Sequence, residues 1–239
     1  MSDYIHLFST TAARDAVYQW GGSNYQEPWV SLVEANGEVN YNLIYDRFNK
    51  YPYVDLGLPS GNLYYDYGNG SSKLSSKYAW GDGTEQRYGY TRGVYKYWDS
   101  QNNIYTKYND SDQLIKLTGD DDYVAKTLGG DWIMPTRSDI TELIEYTDIS
   151  IPSDYTITFT SKINGNSVSA CRYGYQSAST NYYSAYLYAW TSELDTSDKS
   201  KAYVFKVSVN TNNVATYAEL TSLERYNAAS FIGVIHPQI

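Results

Sequence analysis

The sequence predicts a β-dominated α+β fold, and three observations carry that prediction. Short apolar runs separated by Gly, Asn, Asp and Ser recur along most of the chain, the pattern of strands joined by turns. Helical signals are few and short: one segment after Pro135 joins a cap to an apolar stripe, and a second ends at Gly129-Gly130. Tyrosine accounts for 29 of the 239 residues, and its stiff ring suits half-exposed strand positions.

The first 50 residues read differently from the rest. Tyr4 to Phe8 is a short strand-like run. Thr10 and Thr11 can cap a helix that runs to Trp20 and stops at Gly21-Gly22. Pro28–Val33 and Glu38–Tyr41 flank Asn36-Gly37, a strong hairpin signal. The expected organisation is an N-terminal anchoring or assembly segment with a small β-hairpin over 1–50. A second, independently folding domain is expected over 51–239.

In that domain, stretches 60–77 and 81–104 read as long loops. A helix is expected from Asp121 or Asp122 through Lys126. Another follows Pro135, with Thr136 as N-cap, Asp139 at the third helical position and Ile140, Leu143 and Ile144 as its apolar stripe. Tyr155–Ser161 and Ser167–Cys171 flank Asn164-Gly165 as a hairpin. Lys201–Val209 and Val214–Leu220 read as a meander, closed by Ser230–Ile235.

Composition excludes several function classes. The formal charge is −9, so a phosphate backbone is repelled and no nucleic-acid partner is expected. Cys171 is the only cysteine, which removes an intramolecular disulfide and reads as a buried structural thiol. His6 and His236 are the only histidines and cannot assemble a zinc cluster. No Gly-x-Ser-x-Gly elbow, phosphate loop or His-Glu-x-x-His occurs. A non-enzymatic protein without a cofactor is therefore expected. The start, Met1-Ser2-Asp3-Tyr4, has no basic and apolar signal regions, and no stretch is long and apolar enough to span a bilayer. Synthesis in the cytoplasm without a signal peptide, and no membrane insertion, are the expectations.

Two clusters qualify as sites. Asp120, Asp121 and Asp122 group hard oxygen ligands that could hold Ca²⁺, but helix capping and dipole compensation explain them more simply. The nearly uncharged stretch 173–186 is studded with tyrosines among small polar residues, as binding loops are. It supplies Tyr173, Tyr175, Asn181, Tyr182, Tyr183 and Tyr186 as candidate ligand contacts. Tyr88 and Tyr90 join them from another tyrosine-rich stretch. Because these stretches lack aliphatic cover, their rings, with Tyr64, Tyr65, Tyr67, Tyr95 and Tyr97, are expected to face water or a partner. Trp80, Trp132, Met134, Pro135 and Trp190 read as core.

Several motifs occur in an ordered series. They are Val54-Asp55-Leu56-Gly57-Leu58-Pro59, Tyr78-Ala79-Trp80-Gly81-Asp82, Gly129-Gly130-Asp131-Trp132-Ile133-Met134-Pro135-Thr136, Tyr188-Ala189-Trp190-Thr191-Ser192 and Ala202-Tyr203-Val204-Phe205. The series resembles the Fibrobacter major paralogous domain family, over roughly residues 53–239. That resemblance implies a variant of the C-type-lectin-like fold, with long loops and one or two short helices. Relatives often carry Arg where Ile133 stands, and another near the end, where this chain reads Gly233-Val234-Ile235-His236-Pro237. Apolar packing is expected to take the place of that buried arginine. Glu27–Ser31 and Gly37–Asn42 resemble leader segments on structural proteins of Bacteroides (crAss-like) phages. Together the resemblances imply a head or tail fibre protein at a virion surface, held to other virion proteins by its N-terminal segment and used in host attachment. Its partner would be a host surface glycan or receptor, and its state a homo-oligomer, with a trimer favoured by analogy to fibres. The alternative is a capsid or tail decoration protein whose tyrosines bind only neighbouring subunits.

Overall fold

The computed structural model describes residues 51–236 except 52, 70–73, 83–89, 154, 180, 183–185, 211 and 213. The helix and hairpin expected in residues 1–50 lie outside the described residues.

In chain order the elements are β1 (Tyr53–Asp55), β2 (Leu63–Tyr65), β3 (Tyr78–Ala79), β4 (Trp98–Asp99) and β5 (Ile104–Tyr105), then α1 (Tyr123–Leu128) and α2 (Arg137–Tyr146). They continue with β6 (Thr147–Ser153), β7 (Thr156–Ser161), β8 (Ser167–Cys171), β9 (Tyr175–Gln176), β10 (Asn181–Tyr182), β11 (Tyr186–Leu194), β12 (Lys201–Val209), β13 (Ala215–Glu224), β14 (Ala228–Ala229) and β15 (Val234–Ile235). The fold is β-dominated, with antiparallel sheets and two short α-helices among the described residues.

Both helices are set by local chemistry. Thr136 Oγ1 accepts from Asp139 N at 3.2 Å, and Asp139 Oδ2 accepts from Thr136 N at 2.7 Å. This reciprocal cap satisfies two donors that the first turn leaves open. Ile140 and Leu143 are buried on the inward stripe, as expected. Asp122 caps α1 through Val124 N and Ala125 N, and its other oxygen accepts from Met134 N at 2.8 Å. The helix stops at Gly129, whose φ of 72° favours glycine.

Three expectations change. The stretches read as long loops hold structure: 60–77 contains β2, and 81–104 contains the start of the β4–β5 hairpin. β6 follows α2 directly, without a turn signal that would announce it. The end of the tyrosine-rich stretch enters β11, a nine-residue strand.

The three-stranded sheet β11–β12–β13 organises the molecule. Alternate residues point to opposite faces. On one face, Leu187, Ala189, Phe205 and Val207 join a core with Ile140 and Leu143 of α2 and Phe159 of β7. The Phe159 and Phe205 rings lie 5.8 Å apart. On the other face, Trp190, Ala202 and Val204 join a second core with Trp80, Trp132 and Met134. Trp80 Nε1 donates to Thr191 O at 2.8 Å, and Trp190 Nε1 donates to Tyr78 O at 2.9 Å. These two bonds tie β3 to β11. Trp80, Trp132, Trp190 and Met134 are fully buried and Pro135 is buried too. Gly233 passes so close to Tyr65 and Trp132 that a Cβ there would meet their atoms at 3.0 and 3.2 Å.

Buried arginine is present after all. Ile133 does pack apolarly, pairing with Val234 through two backbone bonds of 2.9 and 3.0 Å. Arg172 and Arg225, however, are fully buried. Arg225 donates to Tyr108 O at 3.0 Å and Lys107 O at 3.1 Å, with its guanidinium 3.6 Å from the Tyr105 ring centroid. It fastens the 105–108 segment to the end of β13 by hydrogen bonds and a cation–π contact.

The acidic run is taken up by bonds within the protein. Asp121 is buried and accepts from Lys96 at 3.0 Å, Tyr108 at 2.8 Å, and also from Lys107 and Tyr97. Asp122 is committed to backbone N–H groups, and Asp120 is exposed. Among the described residues no group of three potential metal ligands converges. Burial opposes ionisation of Asp121, but bonds from Lys107, Tyr97, Tyr108 and Lys96 outweigh it and hold the carboxyl at about 2. A depressed carboxyl stabilises the fold fully above its ordinary value of 3.8 and loses that contribution as pH falls from there toward 2. Asp121→Asn should cost about 2–4 kcal/mol at neutral pH. Denaturant melts at pH 7 and pH 2.5 should show the gap between variant and parent narrowing in acid; an unchanged gap would refute this role.

Candidate functional site

The sheet that separates the two cores also builds an open surface. Beyond Trp190 and Val204, the second face of β11–β13 continues with Tyr186 and Tyr188, Lys206 and Ser208, and Tyr217 and Glu219. Tyr188 pairs with Lys206, which pairs with Glu219; Tyr186 pairs with Ser208, which pairs with Tyr217. Six side chains therefore stand on one face in two adjacent rows. Tyr188 packs against the second core, Tyr186, Lys206, Ser208 and Glu219 are half-buried, and Tyr217 is 58% exposed.

Tyr175 of β9 completes the surface. Its ring meets Tyr188 edge-to-face at 4.8 Å, and Tyr188 meets Tyr186 at 5.9 Å. Beside these rings Lys206 Nζ bonds Glu219 Oε1 at 2.9 Å and lies 5.9 Å from the Tyr186 centroid. The hydrogen bond to Glu219 is the main cause that raises the Lys206 ammonium above its ordinary value. The result is a row of three partly exposed rings, two from β11 and one from β9 of the neighbouring sheet, beside a neutralised ion pair. A second aromatic pair, Tyr155 and Tyr173, lies at 6.3 Å with Tyr155 well exposed.

The sequence-derived candidates separate into groups. Tyr175 and Tyr186 join the platform; Tyr173 is partly buried in the second pair. Asn181 and Tyr182 form β10, pairing with Gln176 and Tyr175. Tyr88 and Tyr183 lie outside the described residues. Tyr90 is corrected: its ring is buried and its hydroxyl donates to Lys77 O at 3.2 Å. Tyr64, Tyr65, Tyr95 and Tyr97 are buried as well, contrary to the expectation that they face water. Tyr95 donates to Trp80 O at 2.6 Å and Tyr97 to Asp121, so their hydroxyls are satisfied inside the core.

Sequence reasoning missed Tyr188, Lys206, Tyr217 and Glu219. Counting outward from the 210–214 connection sets Lys206 opposite Ala218; the bulge at Thr216 moves the register by one and brings Glu219 to Lys206, so the pair was not legible from the sequence. Cys171 is buried, and burial pushes its thiol up to about 11, which disfavours the reactive thiolate. No helix among the described residues is long and apolar enough to cross a membrane. No family model matches the chain, and no curated protein or solved structure matches it.

Glu219→Gln tests the electrostatics of this surface. Lys206 should titrate at lower pH than in the parent, read by NMR of its side-chain nitrogen, while stability changes by less than about 1 kcal/mol because the pair is partly solvated. Because the lysine value is raised, any stabilisation is present at neutral pH and is lost as pH rises through it. An unmoved Lys206 titration would mean the pair does not form in solution.

Proposed function

We propose that this chain is a recognition protein whose C-type-lectin-like domain binds a host surface glycan or receptor at a phage virion surface, without catalysing a reaction. The observation that carries this reading is the platform of Tyr175, Tyr186 and Tyr188 beside the Lys206–Glu219 pair.

Sugar rings present flat C–H faces to aromatic rings, and their hydroxyls can take hydrogen bonds from an ammonium and give them to a carboxylate. Three rings on a sheet surface offer such contact with little conformational entropy to lose. The near-neutral ion pair favours uncharged sugars, since the net charge of −9 works against anionic ones. The ordered motifs around Trp80, Trp132 and Trp190 support the lectin-like assignment, and the leader resemblance in residues 27–42 supports the virion setting. Residues 1–50 would then anchor the chain to other virion proteins.

Replacing Tyr175 and Tyr186 together with Ala removes two rings of the platform while leaving Tyr188, which packs against the core. With the fold confirmed by circular dichroism, attachment to host cells or to extracted surface polysaccharide should weaken by at least about thirtyfold, about 2 kcal/mol. Undiminished attachment by a folded variant would place recognition elsewhere.

A further inference from the structure

We infer that β13 is the seam of a homodimer, in which two copies pair antiparallel through this strand and extend the sheet to six strands. The inference is independent of the recognition reading above.

The two outer edges of β11–β12–β13 are treated differently. The edge of β11 is closed by backbone bonds: Trp190 N to Ser230 O at 3.0 Å, Ser230 N to Tyr188 O at 2.8 Å, Leu117 N to Ser192 O at 2.8 Å and Leu194 N to Ile115 O at 2.8 Å. Among the described residues the edge of β13 has no such backbone bonds. Among the described residues its backbone is bonded to β12, and Glu224 O accepts from Asn227 N at its far end. In a ten-residue antiparallel strand about half the N–H and C=O groups point away from the ladder. Such an edge is a template for another strand unless charge, proline or a bulge blocks it. β13 contains no proline or lysine, and the charge of Glu219 is balanced by Lys206; its bulge at Thr216 and the charge of Glu224 lie at its two ends, so Tyr217–Leu223 is the regular, unblocked part.

The strand is complementary to itself. A two-fold axis perpendicular to the sheet at Leu220 overlaps the regular part of the strand, Tyr217–Leu223, with itself. It sets Glu219 opposite Thr221 and Tyr217 opposite Leu223 of the second copy. Shifting the axis to Glu219 would put like charges face to face, which is disfavoured. The chosen register also covers Tyr217, which is 58% exposed in the single chain. Both tyrosine platforms then lie on the same face, at the outer β11 strands about 24 Å apart at ~4.8 Å per strand.

Light scattering of the full chain at micromolar concentration should give twice the chain mass of 27.2 kDa. The register predicts opposite effects of two substitutions at one site. Thr221→Glu sets a second carboxylate against Glu219 and should raise the dimer dissociation constant at least tenfold. Thr221→Lys sets an ammonium there and should leave the dimer as tight or tighter. Circular dichroism confirms the fold of both. A monomer mass, a three-chain mass, or a dimer that responds alike to both substitutions overturns the inference.

Discussion

The structure depends on one constraint: the sheet β11–β12–β13 must satisfy two cores with the same three strands. Leu187, Ala189, Phe205 and Val207 face one core, while Trp190, Ala202 and Val204 face the other. Because side chains alternate along a strand, the two cores overlap where β11 and β12 pair, at Ala189 and Trp190 and at Val204 and Phe205, all four fully buried. Past that overlap each face emerges from its core. The second face emerges with Tyr186, Tyr188, Lys206 and Glu219, so these platform residues continue the core row.

Tyrosine serves both sides of this boundary. Where a carbonyl or carboxylate lies within reach, the ring can be buried: Tyr95 finds Trp80 O, and Tyr97 and Tyr108 find Asp121. Burial raises all three hydroxyls above the ordinary value, which favours the protonated, donating form. On the platform Tyr186 and Tyr188 keep partial exposure. The high tyrosine content is thus divided between a polar-linked core and a surface.

Local features were legible in the sequence and distant ones were not. The cap and stripe of α2, the end of α1 at Gly129 and the Asn164-Gly165 hairpin rest on residues a few positions apart, and all three are found near their expected places. Fold class followed from the same short-range signals. Tyr90 and Tyr97 were misread because their partners, Lys77 O and Asp121, stand 13 and 24 positions away. Lack of nearby aliphatic residues does not expose a ring whose cover comes from elsewhere in the chain. Arg225 was missed for the same reason: its cover comes from residues 105–108, more than a hundred positions earlier. Two of the three platform rings, Tyr175 and Tyr186, were anticipated. Lys206 and Glu219 required the register of β12 on β13, which the bulge at Thr216 moves by one.

The central claim is that β12 is the mechanical centre on which both cores and the platform rest. Hydrogen exchange measured amide by amide tests it most directly. The account predicts that amides of residues 202–207 exchange slowest, through global unfolding alone, and that those of β6–β8 open earlier. Exchange of the β12 amides by local opening, at rates equal to or faster than those in β6–β8, would contradict it.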